Sequence, residues 1–170
     1  MTKKLPNTEI RTAQIADLHE IVNIYNQAIT EGGFTADLTT FTVNQKESWF
    51  HSYNTSQYGI YVVTINNIIV GYFYFSPWRS GREAFQSVAE VSFYINKNYR
   101  GRGIGNIILE DAISKAKEKK FETLLAILLD INTRSKSLLV KHGFETVGHI
   151  PNIAKLKNTQ CGHLFMAKTL

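Results

Sequence analysis

The stretch YRGRGIGNIILEDAISKAKEK, from Tyr99 to Lys119, brings three glycines to the start of an amphipathic helix. At Gly101, Gly103 and Gly105 no Cβ atom hinders the close approach of another group to the backbone. The helix that follows offers unpaired N–H groups and the positive end of its dipole. Together these features predict a site for an anion, best suited to a phosphate or pyrophosphate.

Two arginines, Arg100 and Arg102, alternate with the glycines and add positive charge to the predicted anion site. The loop lacks the dinucleotide-binding fingerprint, because the sixth position counted from Gly101 is Asn106 instead of glycine. It also lacks the Gly-Lys-Ser/Thr ending of a P-loop. A glycine-rich turn that only starts a helix stays open as the alternative interpretation.

Upstream of the loop, the pattern of apolar residues and turn signals predicts four strands and two helices. In chain order these are a strand at Thr8–Ala13, a helix capped by Asp17 and ended by Gly32-Gly33, a helix capped by Thr42 or Asn44, a β-hairpin that turns at Asn66-Asn67, and the strand VAEVSFYI, which ends at Ile95. The glycine loop therefore follows a strand directly.

Downstream of the glycine-loop helix, the same signals predict three strands and one short helix. These are a buried strand at Thr123–Leu129, a helix within TRSKSLLVKHGF that Gly143 stops, and two closing strands in ETVGHI and GHLFMAKTL. The full order indicates a single α/β (α+β) domain over residues 1–170. We expect a mixed, mostly antiparallel sheet flanked by helices.

The overall composition is that of one ordinary globular domain. Of the 170 residues, 44% are hydrophobic and 19% are charged. Lys and Arg number 19 against 14 Asp and Glu, which gives a formal charge of +5 and favours anionic partners. An excess of this size is equally typical of a solvated surface, so we expect no nucleic-acid partner.

The cysteine, histidine and hydropathy patterns exclude several other classes. Cys161 is the only cysteine, so no intrachain disulfide can form, and we expect a reduced, cytoplasmic setting. The five histidines lack HxxxH or HExxH spacing, so we expect no metal site. The N-terminal MTKKLPNTEIRTA lacks the apolar run of a signal peptide, and the longest apolar run, NIIVGYFYF, is too short to span a membrane.

The segment Arg100–Gly105 resembles the acetyl-CoA loop of the GNAT acetyltransferase superfamily, which reads Gln/Arg-x-x-Gly-x-Gly/Ala between a strand and a helix. The stretches IYNQAI, PWRSGREAF, VAEVSFYI and INTRSKSLLVKHGF are similar to the phosphinothricin acetyltransferase-like branch, whose members acetylate the amine of small amino acids and analogues. The resemblance covers Ile10 to Phe144. It implies a GNAT-like fold, acetyl-CoA as cosubstrate without a metal, and a homodimer.

The resemblance also implies where acetyl-CoA lies, along the splayed edge of the strand VAEVSFYI. Backbone groups of Phe93, Tyr94 and Ile95 are expected to pair with the pantetheine arm and the acetyl carbonyl. The other residues expected at the pyrophosphate and the arm are Arg100, Gly101, Arg102, Gly103, Ile104, Gly105, Asn106, Asn132 and Ser135.

Amine acetylation needs a base, because an α-amino group has a pKa of about 8 and attacks only after it loses a proton. Glu90 and Tyr94 share one face of the strand, since side chains alternate along it. The resemblance implies that Glu90 is the base, acting through a water. The alternative is a solvated carboxylate. The amide of Tyr94 or Ile95 is expected to stabilise the oxyanion.

Two positions depart from the family pattern. Leu139 stands where the family has tyrosine or histidine to protonate the leaving thiolate, so another group or water donates, or the thiolate leaves unprotonated. The tail KNTQCGH stands where the branch carries Gly-x-Trp-x-Asp, so the acceptor pocket is not simply inherited.

We expect the loop PWRSGREAF to bind the acceptor, because the planar guanidinium of an arginine suits the carboxylate of an amino acid. A solvated loop is the alternative for its arginines. An aminoglycoside is polycationic, so this basic loop argues against it. The residues expected at the acceptor are Trp78, Arg79, Arg82 and Phe85, with Asn26 and Thr35 in the same cleft.

Three rival functions stay open at this point. An acetyltransferase for a protein N-terminus would use the same chemistry on a different amine. A non-catalytic acyl-CoA-binding module keeps the glycine loop but needs no base. A nucleic-acid-binding protein would show an affinity that falls steeply with salt, which a phosphate site made of backbone amides does not predict.

Overall fold

A seven-stranded sheet with four α-helices forms residues 7–170, the part of the chain that the computed structural model describes. The strands are β1 (Thr8–Thr12), β2 (Ile60–Ile65), β3 (Ile68–Pro77), β4 (Val88–Ile95), β5 (Thr123–Leu129), β6 (Glu145–Lys155) and β7 (Gln160–Thr169). The helices are α1 (Leu18–Glu31), α2 (Val43–Tyr53), α3 (Ile104–Glu118) and α4 (Thr133–Lys141). This order along the chain is the predicted one.

The strands lie side by side in the order β1-β2-β3-β4-β5-β7-β6. All neighbours are antiparallel except β4 and β5, which are parallel. The mixed, mostly antiparallel sheet with helices on its faces confirms the predicted fold class. Within residues 7–170 no helix has the length and apolar character needed to cross a membrane. The signal-peptide prediction rests mainly on residues 1–6, which lie outside the described residues.

Alternation along the central strands separates two apolar clusters. Tyr72 belongs to the cluster that packs with α1 and α2, whereas Phe73 and Val91 belong to the cluster that packs with α3. All three side chains are buried. The tyrosines of β3 and β4 therefore lie on the α1–α2 face of the sheet.

Turn and cap residues begin two of the elements as expected. Thr42 starts α2, because its hydroxyl accepts the N–H of Gln45 at 3.3 Å, so Asn44 is not the cap. Asn66 and Asn67 turn the β2–β3 hairpin with φ values of 50° and 65°. Asparagine tolerates this left-handed conformation better than most residues.

Asp17 lies at the start of α1 but its side chain does not cap the helix, which corrects the prediction. Its carboxylate accepts two hydrogen bonds from Arg11, at 2.6 and 2.9 Å, and one from the N–H of Gln14 at 2.7 Å. The bonds from Arg11 are the main reason that the pKa of Asp17 is lowered. Asp17 thus ties α1 to β1.

Strands β4 and β5 pair only at their beginnings. The parallel register covers Val88–Glu90 on β4 and Thr123–Leu125 on β5, and it stops there. Beyond Glu90, β4 continues to Ile95 with β3 as its paired neighbour. The sheet therefore opens into a V between β4 and β5, and the mouth of the V faces the glycine loop.

Candidate active site

A cavity of about 450 Å³ lies at the mouth of this V. Its walls come from the end of β4, the glycine loop, the first turn of α3, the start of α4 and the residues around the end of α1. The predicted cosubstrate residues that line it are Phe93, Tyr94, Ile95, Arg100, Gly101, Gly103, Ile104, Gly105, Asn106, Asn132 and Ser135. The fold thus brings residues from three separate segments to one cavity.

The glycines of the loop meet two different needs. Gly101 and Gly103 have φ values of 76° and 86°, and a Cβ at either would meet nothing within 4 Å. Conformation, not crowding, therefore favours glycine there, and the space in front stays open. Gly105 is helical, and a Cβ on it would lie 2.6 Å from Cδ2 of Leu138. Its missing side chain lets α3 lie close to α4.

The main-chain N–H groups of Gly101–Gly105 donate no hydrogen bond to any residue of the described part. The N–H of Asn106 is different, because it donates to the carbonyl of Gly103 at 3.0 Å. Of the amides expected to hold a pyrophosphate, that of Asn106 is therefore already used. Unpaired donors at the positive end of a helix suit a phosphate group.

Arg100 is held by protein groups on three sides. Its Nη1 lies 2.6 Å from Oε2 of Glu31, its Nε donates to the carbonyl of Ile95 at 3.0 Å, and its guanidinium lies 4.6 Å from the ring centre of Phe34. The side chain therefore positions the loop against α1 more than it offers free charge. Arg102 lies over Tyr99 at 5.1 Å and does not line the cavity.

Strand β4 presents its main-chain groups alternately to β3 and to the open V. The N–H of Asn96 donates to Val70 on the β3 side at 2.9 Å, and the carbonyl of Tyr94 also faces β3, because it lies 3.0 Å from a Cβ placed on Gly71. By alternation, the N–H of Tyr94 points to β3 as well. Of the two amides expected to stabilise the oxyanion, only that of Ile95 faces the open V.

Asn132 and Ser135 shape the opposite wall of the cavity. Asn132 is the N-cap of α4, and its side-chain oxygen accepts the N–H of Ser135 at 3.1 Å. The cap fixes both residues at the groove. Sequence reasoning missed other residues that line this cavity, and they are Ala28, Phe34, Tyr99, Arg134 and Leu138. Phe34 gave no motif, and Ala28 lies in the stretch IYNQAI, whose sequence gave no sign that it reaches this cavity.

Glu90 lies at the vertex of the V, as the last residue of β4 paired with β5. Its carboxylate makes no ion pair or hydrogen bond with residues 7–170, and burial raises its pKa. The same face of the sheet carries Tyr74, which lies opposite Ser92 and packs edge to face on Trp49. An unpaired carboxylate with a raised pKa is suited to accept a proton near neutrality.

Tyr94 lies against a hydrogen-bonded network that comes from α1 and the loop after it. The Tyr25 hydroxyl donates to Oδ2 of Asp37 at 2.5 Å and accepts from the Thr35 hydroxyl at 2.9 Å. The rings of Tyr25 and Tyr94 meet edge to face, 4.9 Å apart. Burial raises the pKa of Tyr94 well above its ordinary value. Thr35, expected at the acceptor, is thus joined to Tyr25.

A smaller cavity of about 50 Å³ lies inside the V and is lined by both strands, Phe34, Asn132, Ser135 and Leu139. Leu139 is 1% exposed. An apolar side chain thus stands at the position where the family pattern has a proton donor. Among the residues that line this smaller cavity, only the hydroxyls of Ser92, Tyr94 and Ser135 carry a side-chain proton on oxygen. No acidic or basic side chain among them takes the place of the missing donor.

The expected acceptor loop lies apart from these cavities, at the other end of β4. Arg79, Arg82 and Phe85 are exposed, and Trp78 packs edge to face on Phe165 with ring centres 6.4 Å apart. None of the four lines a cavity described here.

Asn26 is occupied by the backbone of the α1–α2 loop. Its Nδ2 donates to the carbonyl of Phe41 at 2.8 Å, and its Oδ1 accepts the N–H of Phe41 at 2.9 Å. Both halves of the amide are therefore used to fix this loop. These two hydrogen bonds do not support a direct hydrogen bond from Asn26 to an acceptor.

Other reactive groups lie outside the cavities. Burial raises the pKa of the Cys161 thiol, which is 3% exposed. Such a thiol is packed and unreactive. Among residues 7–170, no group of three or more His, Cys, Asp or Glu side chains is placed to hold a metal ion.

Comparisons with known proteins agree on one family. Residues 18–144 match the model of the acetyltransferase (GNAT) family. The chain is 33% identical to YwnH of Bacillus subtilis over 86% of this chain and 90% of that protein. It is 28% identical to the L-methionine sulfoximine/L-methionine sulfone acetyltransferase of Pseudomonas aeruginosa, over 88% of this chain and 87% of that protein.

One similar structure contains the cosubstrate. It is a GNAT superfamily phosphinothricin acetyltransferase from Sinorhizobium meliloti in complex with acetyl-CoA. The TM-score is 0.91 at 25% identity, and the match covers 96% of this chain and 89% of that one. The described fold thus has a counterpart in a structure that contains acetyl-CoA.

Proposed function

Because the chain belongs to the GNAT acetyltransferase family, we propose that it acetylates the amine of a small amino acid or amino-acid analogue. It is an N-acetyltransferase, an enzyme of the class that uses acetyl-CoA. The acceptor class is supported by the related enzyme that acts on L-methionine sulfoximine and L-methionine sulfone. One observation carries the proposal: unpaired main-chain donors run from the glycine loop to the open edge of β4.

The residues present fit acetyl-CoA along this edge. The free amides of Gly101–Gly105 suit the pyrophosphate, and the apolar mouth of the V suits the pantetheine arm. The main-chain groups of Phe93 and the N–H of Ile95 are left for the arm and the acetyl carbonyl. When bound, acetyl-CoA supplies an activated acyl group as a thioester.

Acetyl transfer in this site takes place in a ternary complex. Glu90, acting through a water, removes a proton from the acceptor ammonium, and its raised pKa and unpaired carboxylate suit it to this task. The amine nitrogen then forms a bond to the acetyl carbonyl carbon, and the carbon–sulfur bond breaks. The Ile95 N–H, held in place by the strand, donates to the oxygen on which negative charge develops.

The thiolate of coenzyme A leaves without a dedicated acid, because Leu139 has no proton to give. A thiol has a pKa of about 8.5, so its thiolate is a stable leaving group near neutrality. Water can protonate it after it leaves the V. The nitrogen loses two protons in all. The first goes to Glu90 before the attack and then to solvent, and the second leaves after the carbon–nitrogen bond has formed and passes to solvent or to the departing thiolate, which closes the balance.

The exposed positive charge of the β3–β4 loop favours an acceptor that carries a carboxylate. Arg79 and Arg82 are exposed on the β3–β4 loop and attract such a molecule from solution. A polycationic aminoglycoside would be repelled by the same charges. We therefore place aminoglycosides below amino acids as acceptors.

A homodimer is part of the proposal. The edge strand β6 exposes three apolar side chains, namely Val147 at 62%, Ile150 at 43% and Ile153 at 56%. An exposed apolar edge strand tends to pair with another chain. A second copy of this chain is the partner that a family of dimers suggests, and sedimentation velocity measures it directly.

The decisive experiment combines acetyl-CoA titration by calorimetry with an assay of free thiol release. The acceptor panel contains L-methionine sulfoximine, phosphinothricin, unmodified amino acids, a peptide with N-terminal alanine and an aminoglycoside. We expect acetyl-CoA to bind, and thiol to be released fastest with the amino-acid analogues. Binding of acetyl-CoA without turnover of any amine would favour a non-catalytic acyl-CoA-binding module. Turnover of the peptide alone would favour a protein N-terminus.

A further inference from the structure

The side chain of Lys46, in the first turn of α2, ends among three aromatic rings. Its Nζ lies 3.9 Å from the ring centre of Phe41, 4.8 Å from that of Tyr25 and 5.7 Å from that of Trp49. Each distance is within the range of about 6 Å over which a cation is attracted to a ring face. The ammonium group is therefore held in a partly desolvated, aromatic environment.

No carboxylate neutralises this ammonium. Among residues 7–170, Lys46 forms no ion pair within 4.0 Å and no hydrogen bond. The nearest acid that influences it is Asp37, which acts through space, and its Oδ2 already accepts the Tyr25 hydroxyl. A half-buried cation without an anion is an energetically unfavourable arrangement unless an anion arrives from outside.

Lys46 also lines a cavity of about 30 Å³ together with Tyr25, Trp49, Tyr72 and Tyr74, above Ile21 and Val22. A space of this size holds about one water molecule. The lysine has four flexible carbons in its side chain, so it can leave the rings and widen the space for a carboxylate. The cavity thus offers a positive charge at one end and aromatic walls around it.

The register of the sheet relates this cavity to the candidate base. Tyr74 lies opposite Ser92 on β4, and Glu90 lies opposite Ser76, two residues further along β3. Two residues of a strand span about 7 Å. The aromatic cavity and Glu90 therefore lie on the same face of the sheet, at a separation that a small bifunctional molecule can bridge.

We propose that Lys46 binds the anionic group of the acceptor while Glu90 receives the proton of its amine. This assignment rests on the proposed function and deepens it, because it names a specificity-determining residue on α2. In this assignment the exposed Arg79 and Arg82 attract the acceptor over a long range, whereas Lys46 binds its anionic group directly. An acceptor must then carry a carboxylate or similar anion near its amine to use both ends of the site.

A purely structural role for Lys46 predicts a different outcome. If the ammonium only joined α2 to the rings of Tyr25 and Phe41, its loss would lower the melting temperature and affect all acceptors alike. If it binds the acceptor anion, its loss will penalise only acceptors that have one. The ratio of KM values for two matched acceptors separates these roles.

The test uses L-methionine sulfoximine and the amine obtained from it by removal of the carboxylate, 3-(S-methylsulfonimidoyl)propylamine. Thiol release is measured for the wild-type enzyme and for the variants Lys46→Met, Lys46→Gln and Lys46→Arg. Lys117→Met is the control, since Lys117 is exposed on α3 away from the site. Melting curves and acetyl-CoA titrations show that each variant is folded and binds the cosubstrate.

We expect Lys46→Met and Lys46→Gln to raise KM for L-methionine sulfoximine by about tenfold or more, because a charged hydrogen bond is lost. KM for the decarboxylated amine should stay within about twofold, and Lys46→Arg should restore most of the loss. An unchanged ratio of the two KM values in an active enzyme would overturn the role of Lys46 alone. A wild-type enzyme that binds acetyl-CoA but acetylates neither molecule would overturn the proposed acceptor class, and this assignment with it.

Discussion

The two ends of the site are built in different ways. The cosubstrate end consists mainly of backbone, in the glycine loop and the open edge of β4, and Arg100 holds the loop against Glu31. The proposed acceptor end consists of side chains from α1, α2 and β3, among them Tyr25 and Lys46. Backbone donors suit a part that every member of the family must bind. Side chains suit a part that differs between members.

The largest effect should come from the group that stands between these two ends. Glu90→Gln removes the proposed base, so we expect kcat at pH 7 to fall by about 10²-fold to 10⁴-fold. The dissociation constant of acetyl-CoA should not change, because Glu90 lies at the vertex of the V and not in the glycine loop. Glu122→Gln, on the exposed surface, is the matched control.

The same variant tests the direction of the pKa shift. Burial raises the pKa of Glu90, so activity should fall with decreasing pH at a higher pH than an ordinary carboxyl group would give. A raised folded-state pKa also means that Glu90 favours folding while protonated and loses that contribution as pH rises. Glu90→Gln should therefore raise the melting temperature at pH 7 more than at pH 4. A larger gain at pH 4 would contradict the shift.

A pair of glycine variants compares the cosubstrate end with a loop outside both cavities. Gly103→Val forces a β-branched residue into φ 86° and fills the space before α3, so we expect acetyl-CoA affinity to fall by about tenfold or more. Gly81→Val places the same residue at φ 78° on the β3–β4 loop, where a Cβ also meets nothing within 4 Å. Calorimetry should show unchanged affinity for Gly81→Val, although both variants lose stability. Equal losses of affinity would show that the effect of Gly103→Val comes from general destabilisation and not from the cosubstrate end.

A smaller effect on the cosubstrate end should follow from Arg100→Met. The change removes the ion pair with Glu31 and the bond to the carbonyl of Ile95, so the loop loses two of its ties. We expect the dissociation constant of acetyl-CoA to rise by about threefold to tenfold, since a charged hydrogen bond contributes about 1.5–3 kcal/mol and only part of it acts on the loop. Arg102→Met should have less effect, because Arg102 lies over Tyr99 and forms no ion pair with any of residues 7–170.

The smallest effect should come from Tyr25→Phe at the acceptor end. The change leaves the ring in place but removes the hydroxyl that joins Asp37 to Thr35. Half-buried Asp37 can recruit water in its place, so we expect a loss of about 1 kcal/mol in the free energy of unfolding. Urea denaturation measures this loss. Acetyl-CoA affinity should be unaffected, and a change in it would couple the two ends.

The cosubstrate end could be predicted from the sequence because its signals are contiguous. The residues from Arg100 to Gly105 follow one strand and precede one helix, and local conformation alone requires glycine at two of them. The order of strands and helices could also be predicted, because apolar residues recur with a different spacing in strands and in helices. The loop pattern could not show that the N–H of Asn106 donates a hydrogen bond to the carbonyl of Gly103.

The acceptor end could not be predicted in the same way. Lys46, Tyr25 and Phe41 are neighbours only because α1, α2 and their connecting loop fold onto one face of the sheet. Asn26 was expected at the acceptor because it lies in a family-like stretch, yet its amide is used by a backbone that lies fifteen residues away. No local pattern reports such pairings, because they depend on tertiary packing.

The short pairing between β4 and β5 has one more consequence. Past Leu125, the two strands leave hydrogen-bonding groups in the middle of the sheet without a ladder, as an internal edge. A pantetheine arm contains two amides, so a cosubstrate bound as we propose would complete the ladder in place of a missing strand. Amide hydrogen exchange at Phe93 and Ile95 should then slow sharply on saturation, and the whole domain gains about 2.7 kcal/mol at a hundredfold excess over the dissociation constant.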